Sequence, residues 1–252
     1  FCDINENQAF HQSSEVRYFI DTPSLLTDRV KGFYGLRTKK LLKNGLITNL
    51  INECPKLSAR KLGDKSPEQD ISLILEIFPK AQIVVMVRDF RDACISTAFH
   101  WSRESGTWKG WFTGPETKTL DNQFLIELLN GYKVRKDFAI YSKLASEKPD
   151  QVIIIRYEDM KSDPETNLKR VFEFLKIRNN ASLVRKCLDM NTFEKLSKGR
   201  RPGEENRGSF FRKGIIGDWK NYFSEENVAT FKKIAGDTLI AAGYEKDNNW
   251  SA

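Results

Sequence analysis

Arg212 and Lys213 stand directly before Gly214 in the stretch FFRKGIIGDWKNYF, residues 210–223. They set two cations beside backbone that can come close to a ligand, a chemistry suited to phosphate or sulfate. Gly208, Gly214 and Gly217 argue against a regular helix or strand, since each raises the entropic cost of ordering the chain. The stretch therefore reads as a loop, either an anion-binding one or a solvated basic turn. A second arginine, Arg88, follows the apolar run AQIVVMV, and Ser96 lies about two helical turns beyond it. A guanidinium and a hydroxyl so placed can reach one anion near the start of a helix. The competing reading is a structural ion pair of Arg88 with Asp89 or Asp92. Tyr157, at the end of the run QVIIIRY, can lay its ring or hydroxyl against a ligand or simply pack. Lys65, in GDKSPEQD, is expected in a loop, where it serves a ligand or stays a solvated charge.

Hydropathy outlines the elements that must position these groups. AQIVVMV (81–87) and QVIIIRY (151–157) are apolar and β-branched without alternation, which predicts strands buried on both faces, as in a parallel sheet. DISLILEIF (70–78) and NQFLIELLNGYKV (122–134) carry apolar residues at helical spacing. SDPETNLKRVFEFLKI offers Asp163 as N-cap, Pro164 at the first helical position, and Leu168, Val171, Phe172 and Leu175 on one face. Strands alternating with helices predict an α/β fold: a central, mostly parallel β-sheet flanked by helices. Ligands of such sheets bind beyond the carboxyl ends of the strands, where Arg88 and Tyr157 fall. KGWFTGPETKTLDN (109–122) and SKGRRPGEENRGS (197–209) read as loops, the latter leading straight into the basic stretch. No linker interrupts the pattern, so residues 1–252 are expected to form a single domain.

The 252 residues include 40% hydrophobic ones, enough for a sizeable core, and carry a formal charge of +7. The positive residues are dispersed, so a small anionic ligand fits as well as a nucleic acid. Cys2, Cys54, Cys94 and Cys187 are widely separated, with no CxxC pair and no Cys/His cluster to make a zinc site. That usage predicts a reduced, cytoplasmic protein. No apolar run reaches the roughly 18 residues of a membrane span, and the first ten residues, FCDINENQAF, lack the signature of a signal peptide.

The ordered set DKSP, strand-RDFRDACIS, strand-RYEDMKSDP and FFRKGIIGDWKN resembles the sulfotransferases that use 3′-phosphoadenosine 5′-phosphosulfate (PAPS). GYEKDNNW near the C-terminus is similar to members of this family as well. The resemblance implies a P-loop nucleotide-kinase-like fold, with PAPS as donor and 3′,5′-adenosine bisphosphate (PAP) as product. It implies no metal, no nucleic-acid partner, and a small-molecule or carbohydrate acceptor with a hydroxyl. By the same resemblance Arg88 and Ser96 hold the donor's 3′-phosphate, and Arg212, Lys213 and Gly214 close on it from the other side. Tyr157 would lie near the adenine, with Asn191 and Phe193 of NTFEKL as further nucleotide contacts. Lys65 would lie close to the transferring sulfuryl group or the acceptor.

Two departures from the family matter. Its phosphate-cradling loop has no counterpart in residues 1–62, where KGFYGLRTKK is basic but has the wrong glycine spacing. The chain is therefore expected to begin just after that loop. ENQAFH supports this, because it resembles the Glu-containing segment that follows the loop in carbohydrate-type members. Glu6 thereby becomes a candidate general base, and the acceptor tips toward a sugar or alkyl hydroxyl. The second departure is DKSP, which stands where members acting on phenols and steroids carry Lys-x-His. The base is open among Glu6, His11 and Asp64, while His100 is expected to pack behind the phosphate-binding helix. Two rival classes remain: a nucleotide or nucleoside kinase, which needs a Walker-type loop and a magnesium-holding carboxylate, and a non-catalytic anion-binding remnant.

Overall fold

The computed structural model describes residues 78–105, 119–131 and 134–252, the strand backbones of 14–21, 61–66 and 112–113, and the helical residues Ile71, Ile74 and Leu75. Along the chain come β1 (Ser14–Asp21), β2 (Lys61–Ser66) and β3 (Gln82–Val87), followed by helix α1 (Phe90–Ser105). The short ladder β4 (Phe112–Thr113) and β5 (Thr119–Leu120) leads to α2 (Asn122–Gly131) and α3 (Val134–Glu147). Strand β6 (Val152–Arg156) is followed by α4 (Tyr157–Ser162), α5 (Pro164–Phe174), α6 (Ala181–Met190) and α7 (Phe193–Leu196). A 3₁₀ turn (Asp218–Asn221) and α8 (Glu225–Ala241) complete the order.

The main sheet has the order β2-β1-β3-β6. β3 and β6, the two runs read as buried strands, pair in parallel from Ile83↔Val152 to Val87↔Arg156. Residues alternate between the two faces of β3. Ile83, Val85 and Val87 join Phe90, Ile95, Phe124, Leu125, Phe231 and Leu239 in the larger core, whereas Val84 packs with Ile155, Val171 and Leu175 on the other side. Helices thus cover both faces, which is why neither run alternates, and the α/β expectation holds. Among the described strands the parallel character belongs to this one pair: β1 runs antiparallel to both β3 and β2. An apolar run reports burial on both faces and is silent on the direction of its neighbour.

α5 begins as its sequence predicts, with Asp163 accepting from the Thr166 backbone N–H at 3.2 Å and Pro164 in the first turn. One placement differs. Lys65 lies within β2, opposite Arg17 of β1, and Asp64 lies opposite Tyr18, so neither belongs to a loop. Antiparallel pairing with β1 supplies the backbone partners, and this short polar segment carries no hydrophobic alternation that would announce a strand. Glu6 and His11 lie outside the described residues.

Candidate functional site

Strand β3 ends at Val87, and the Asp89 carbonyl opens α1 by accepting from the Ala93 N–H at 2.9 Å. Arg88 is held between them at the sheet's carboxyl edge. The parallel register, carried one step past Val87↔Arg156, brings it beside Tyr157, and its guanidinium carbon lies 4.8 Å from that ring's centroid. One terminal nitrogen donates to the Ile215 carbonyl at 3.2 Å and lies 3.4 Å from Asp92 Oδ2. The Nε–H is buried and has no hydrogen-bond partner among the described residues. Leaving a buried donor unfilled costs about 1–3 kcal/mol, so this N–H is a candidate contact for an acceptor. Arg88 thus makes the ion pair with Asp92 that one sequence reading expected, and it still has a donor to offer.

Asp92 joins this edge to the basic loop. Its buried carboxylate accepts from the backbone N–H groups of Gly217 at 2.8 Å and Trp219 at 2.9 Å. Burial pushes the Asp92 carboxyl above its ordinary range, with the Arg88 guanidinium and the two N–H groups pulling the other way. Gly217 sits at φ 75°, the left-handed conformation that starts the 3₁₀ turn. Gly214, at φ 67°, faces the Phe193 ring so closely that an added Cβ would stand 2.4 Å from a ring carbon. Phe193 and Gly214 are therefore one contact, which no spacing in the sequence announced. Gly214→Ala is expected to cost about 1–3 kcal/mol of stability through left-handed strain, plus whatever displacement of the Phe193 ring adds. Calorimetric melting of Gly214→Ala alone and combined with Phe193→Ala checks the ring's part: the double variant should melt above the sum of the single effects, and strict additivity would discard the contact.

Arg212 lies with its guanidinium carbon 4.1 Å from the centroid of the Phe99 ring, one helical turn beyond Ser96 on α1. This contact brings the basic loop against the helix face that carries Ser96, whose hydroxyl has no hydrogen bond to other described residues. The Arg212 terminal nitrogens donate to Glu205 and Asp218, and Lys213 Nζ donates to Asp218 Oδ1 at 2.6 Å. Burial alone would raise the Asp218 carboxyl, yet Lys213 and Arg212 outweigh it and hold it below its ordinary value. Glu205 is depressed in the same way: burial acts upward, and Arg212, the Tyr222 hydroxyl and Arg207 together outweigh it. These ion pairs explain Asp218 and Asn221 of GDWKN, since Asn221 Nδ2 also donates to Asp218 Oδ1 at 2.9 Å.

Arg200, which the sequence reading passed over, ties the 200–213 loop together. It donates to the backbone carbonyls of Glu204, Arg212 and Phe211 and to the Ser209 hydroxyl. Its guanidinium also lies 5.6 Å from the Phe193 ring centroid, so NTFEKL and the basic loop share one anchor. Asn191 caps the end of α6 and donates to the Cys187 carbonyl at 2.8 Å. His100 is buried on α1, with Nδ1 2.7 Å from an Arg103 terminal nitrogen.

A second network lies beneath the site. Arg91 donates to both Asp89 oxygens and to Glu245 at 2.7 Å, and its guanidinium carbon lies 4.0 Å from the Trp219 ring and 4.6 Å from the Trp250 ring. The Asp89 N–H donates to Glu158 at 3.0 Å, and the Tyr244 hydroxyl donates to the same carboxylate at 2.9 Å. The C-terminal GYEKDNNW is thus fastened to RDFRD through Tyr244, Glu245 and Trp250. Among the described residues, no group of three or more His, Cys, Asp or Glu side chains is placed to hold a metal ion.

A mouse sulfotransferase crystallised with PAP is 24% identical, with a TM-score of 0.47 over 62% of this chain and 57% of its own. Cytosolic sulfotransferase 4 of Arabidopsis thaliana is 41% identical over 108 residues, covering 41% of this chain and 36% of that protein. A flavonol sulfotransferase-like protein of Flaveria bidentis is 36% identical over 116 residues, covering 41% of this chain and 37% of its own. The two plant matches span little more than a third of those proteins' length. The sulfotransferase domain profile matches residues 71–243, more than half of the chain, from the helix before β3 to the end of α8 and so across the whole edge built by Arg88, Tyr157 and the basic loop; the chain belongs to the sulfotransferase family.

Proposed function

We propose that the chain, as one domain, transfers the sulfuryl group of PAPS to a hydroxyl of a small-molecule acceptor. The observation that carries this reading is the unfilled, buried Nε–H of Arg88, set at the carboxyl edge of β3 between the Tyr157 ring and the basic loop. An anionic oxygen satisfies that donor, and the residues around it fit a phosphate. Arg88 binds the donor's 3′-phosphate from the strand side and Ser96 from the helix side, while Arg212, Lys213 and Gly214 complete the enclosure. Tyr157 offers its ring to the adenine, with Asn191 and Phe193 as further nucleotide contacts.

The donor supplies an activated sulfuryl group, and the chain's part is binding, alignment and movement of one proton. In the transfer, the acceptor oxygen forms a bond to sulfur as the bond from sulfur to the bridging phosphate oxygen breaks, and PAP leaves with that electron pair. Lys65 is the cation assigned to the charge that grows on the bridging oxygen. The acceptor's proton passes to a carboxylate or imidazole, for which Glu6, His11 and Asp64 are the candidates in that order. General-base help of this kind is typically about 10²–10⁴-fold.

For the acceptor, ENQAFH favours a sugar or alkyl hydroxyl, whereas relatives named for flavonols favour a phenol. Relatives named cytosolic support action in the cytoplasm, and among the described residues no helix is long and apolar enough to cross a membrane. The test is to follow PAP release from PAPS with a flavonol, an alkyl alcohol and a monosaccharide, with and without magnesium. Acceptor-dependent release that ignores magnesium is the expected result. Magnesium-dependent consumption of ATP instead would replace sulfuryl transfer by phosphoryl transfer.

A further inference from the structure

We propose that Glu205 is a displaceable counter-ion of the phosphate clamp, whose carboxylate holds the face of Arg212 that the donor's 3′-phosphate takes and gives it up when the nucleotide binds. The inference rests on the reading of Arg212 as a phosphate ligand. Both terminal nitrogens of Arg212 are already engaged, Nη1 with Glu205 Oε1 and Nη2 with Asp218 Oδ2. Nη1 also lies 3.4 Å from the Tyr222 hydroxyl, so both of its N–H groups are taken, and a phosphate gains a charge-assisted bond to Nη1 only where Glu205 leaves.

The two carboxylates differ in their freedom to leave. The Asp218 side chain is 2% exposed, opens the 3₁₀ turn and is shared by Arg212, Lys213 and Asn221. Withdrawing it would strand a buried charge among three donors. The Glu205 side chain is 24% exposed, in a run from Arg201 to Gly208 that faces solvent throughout. Its remaining partners are the Tyr222 hydroxyl at 3.1 Å and Arg207 Nε at 3.3 Å from the other oxygen. Arg207 is itself 45% exposed, so it accompanies the Glu205 charge into water when Arg212 is surrendered. The backbone need not move. The Gly203 N–H donates to the Lys213 carbonyl at 2.8 Å and the Asn206 N–H to the Arg212 carbonyl at 2.9 Å, and rotation of the Glu205 side chain alone opens the face. The carboxylate thereby weakens binding of the 3′-phosphate in both directions: it opposes entry and returns as the bisphosphate leaves.

Glu205→Gln keeps the size of the side chain and removes its charge. PAP should bind this variant roughly threefold to tenfold tighter than the unaltered chain, the effect expected for a part-exposed ion pair, while adenosine 5′-phosphate binds as before. PAP release in stopped flow should slow by a similar factor. Glu204→Gln is the control. It removes the same charge from the same loop, where Glu204 accepts from the Arg201 backbone N–H at 2.9 Å, and PAP affinity should move by less than about twofold. Weaker PAP binding by Glu205→Gln would mean that Glu205 orients Arg212 and would overturn the proposal. Equal tightening by both variants would reduce the effect to loop charge and overturn it as well. If the unaltered chain separates PAP from adenosine 5′-phosphate and Glu205→Gln changes neither, the counter-ion role falls and the sulfotransferase reading stands. If the unaltered chain does not separate them, both fall together.

Discussion

Arg88→Ala is expected to weaken PAP binding by roughly 30-fold or more and to leave adenosine 5′-phosphate almost unaffected, since truncating one partner of a buried, hydrogen-bonded charge pair costs about 2–5 kcal/mol. The contrast follows from what each nucleotide offers. Arg88 is assigned to the 3′-phosphate, which adenosine 5′-phosphate lacks. Isothermal titration with both ligands reads the difference directly, and an equal loss for both would remove Arg88 from the 3′-phosphate. Arg88→Lys sharpens the test. It keeps the charge beside Asp92 but lacks an Nε–H at that position, so it should recover folding stability more fully than PAP affinity. The variant also has a pH signature through Asp92, whose carboxyl is already pushed up by burial and held in check by Arg88. Without the guanidinium its folded-state pKa rises further above the unfolded value. A group shifted in that direction contributes stability below its unfolded pKa and loses it as pH rises through the folded one. The stability gap between Arg88→Ala and the unaltered chain should therefore be full at neutral pH and shrink in acid. A gap that widened in acid would contradict the placement of Arg88 beside Asp92.

The parts of this architecture legible in the sequence are those written in local patterns. The runs around Val85 and Ile154 declared strands buried on two faces, and Asp163-Pro164 declared a helix start; the structure has both. The order of Arg88, Tyr157 and the basic stretch declared a common edge, and Arg88 does meet Tyr157 and Ile215 there. What stayed hidden depends on partners distant in the chain. Asp92 bridges to residues 125 and 127 positions away, and Arg91 to Glu245 across 154. Neither separation leaves a periodic trace. Asp218 matched the family without a physical reason until its two cations were in view. At Gly214 an added Cβ would meet the Phe193 ring, a contact between two separate segments that no local pattern carries. Lys65 and Asp64 were misplaced because β2 owes its pairing to β1 rather than to its own composition.

Arg91→Ala should destabilise the fold by about 3–5 kcal/mol, because it strips a buried ion pair of one partner. Arg91 and Asp89 are 3% and 7% exposed, so the Asp89 carboxylate is left nearly dry, without the guanidinium that meets both its oxygens. Trp219 and Trp250 lose the cation between them, although their rings still meet edge to face at 5.6 Å. For a chain of this length the melting temperature should fall by roughly 6–20 °C. The mechanism has a partner test, since Asp89→Asn removes the stranded charge. The double variant should be more stable than the sum of the two single losses predicts, by about 0.5–3 kcal/mol. Strict additivity would show that the stranded charge is not the cause. The same break reaches the site through Trp219, whose backbone N–H is held by Asp92 and whose neighbour Asp218 holds Arg212 and Lys213. Loosening the 3₁₀ turn releases both cations from their fixed positions. PAP affinity should therefore fall even at temperatures where Arg91→Ala remains fully folded, while Trp250→Phe, which keeps an aromatic face against the guanidinium, should retain most of it.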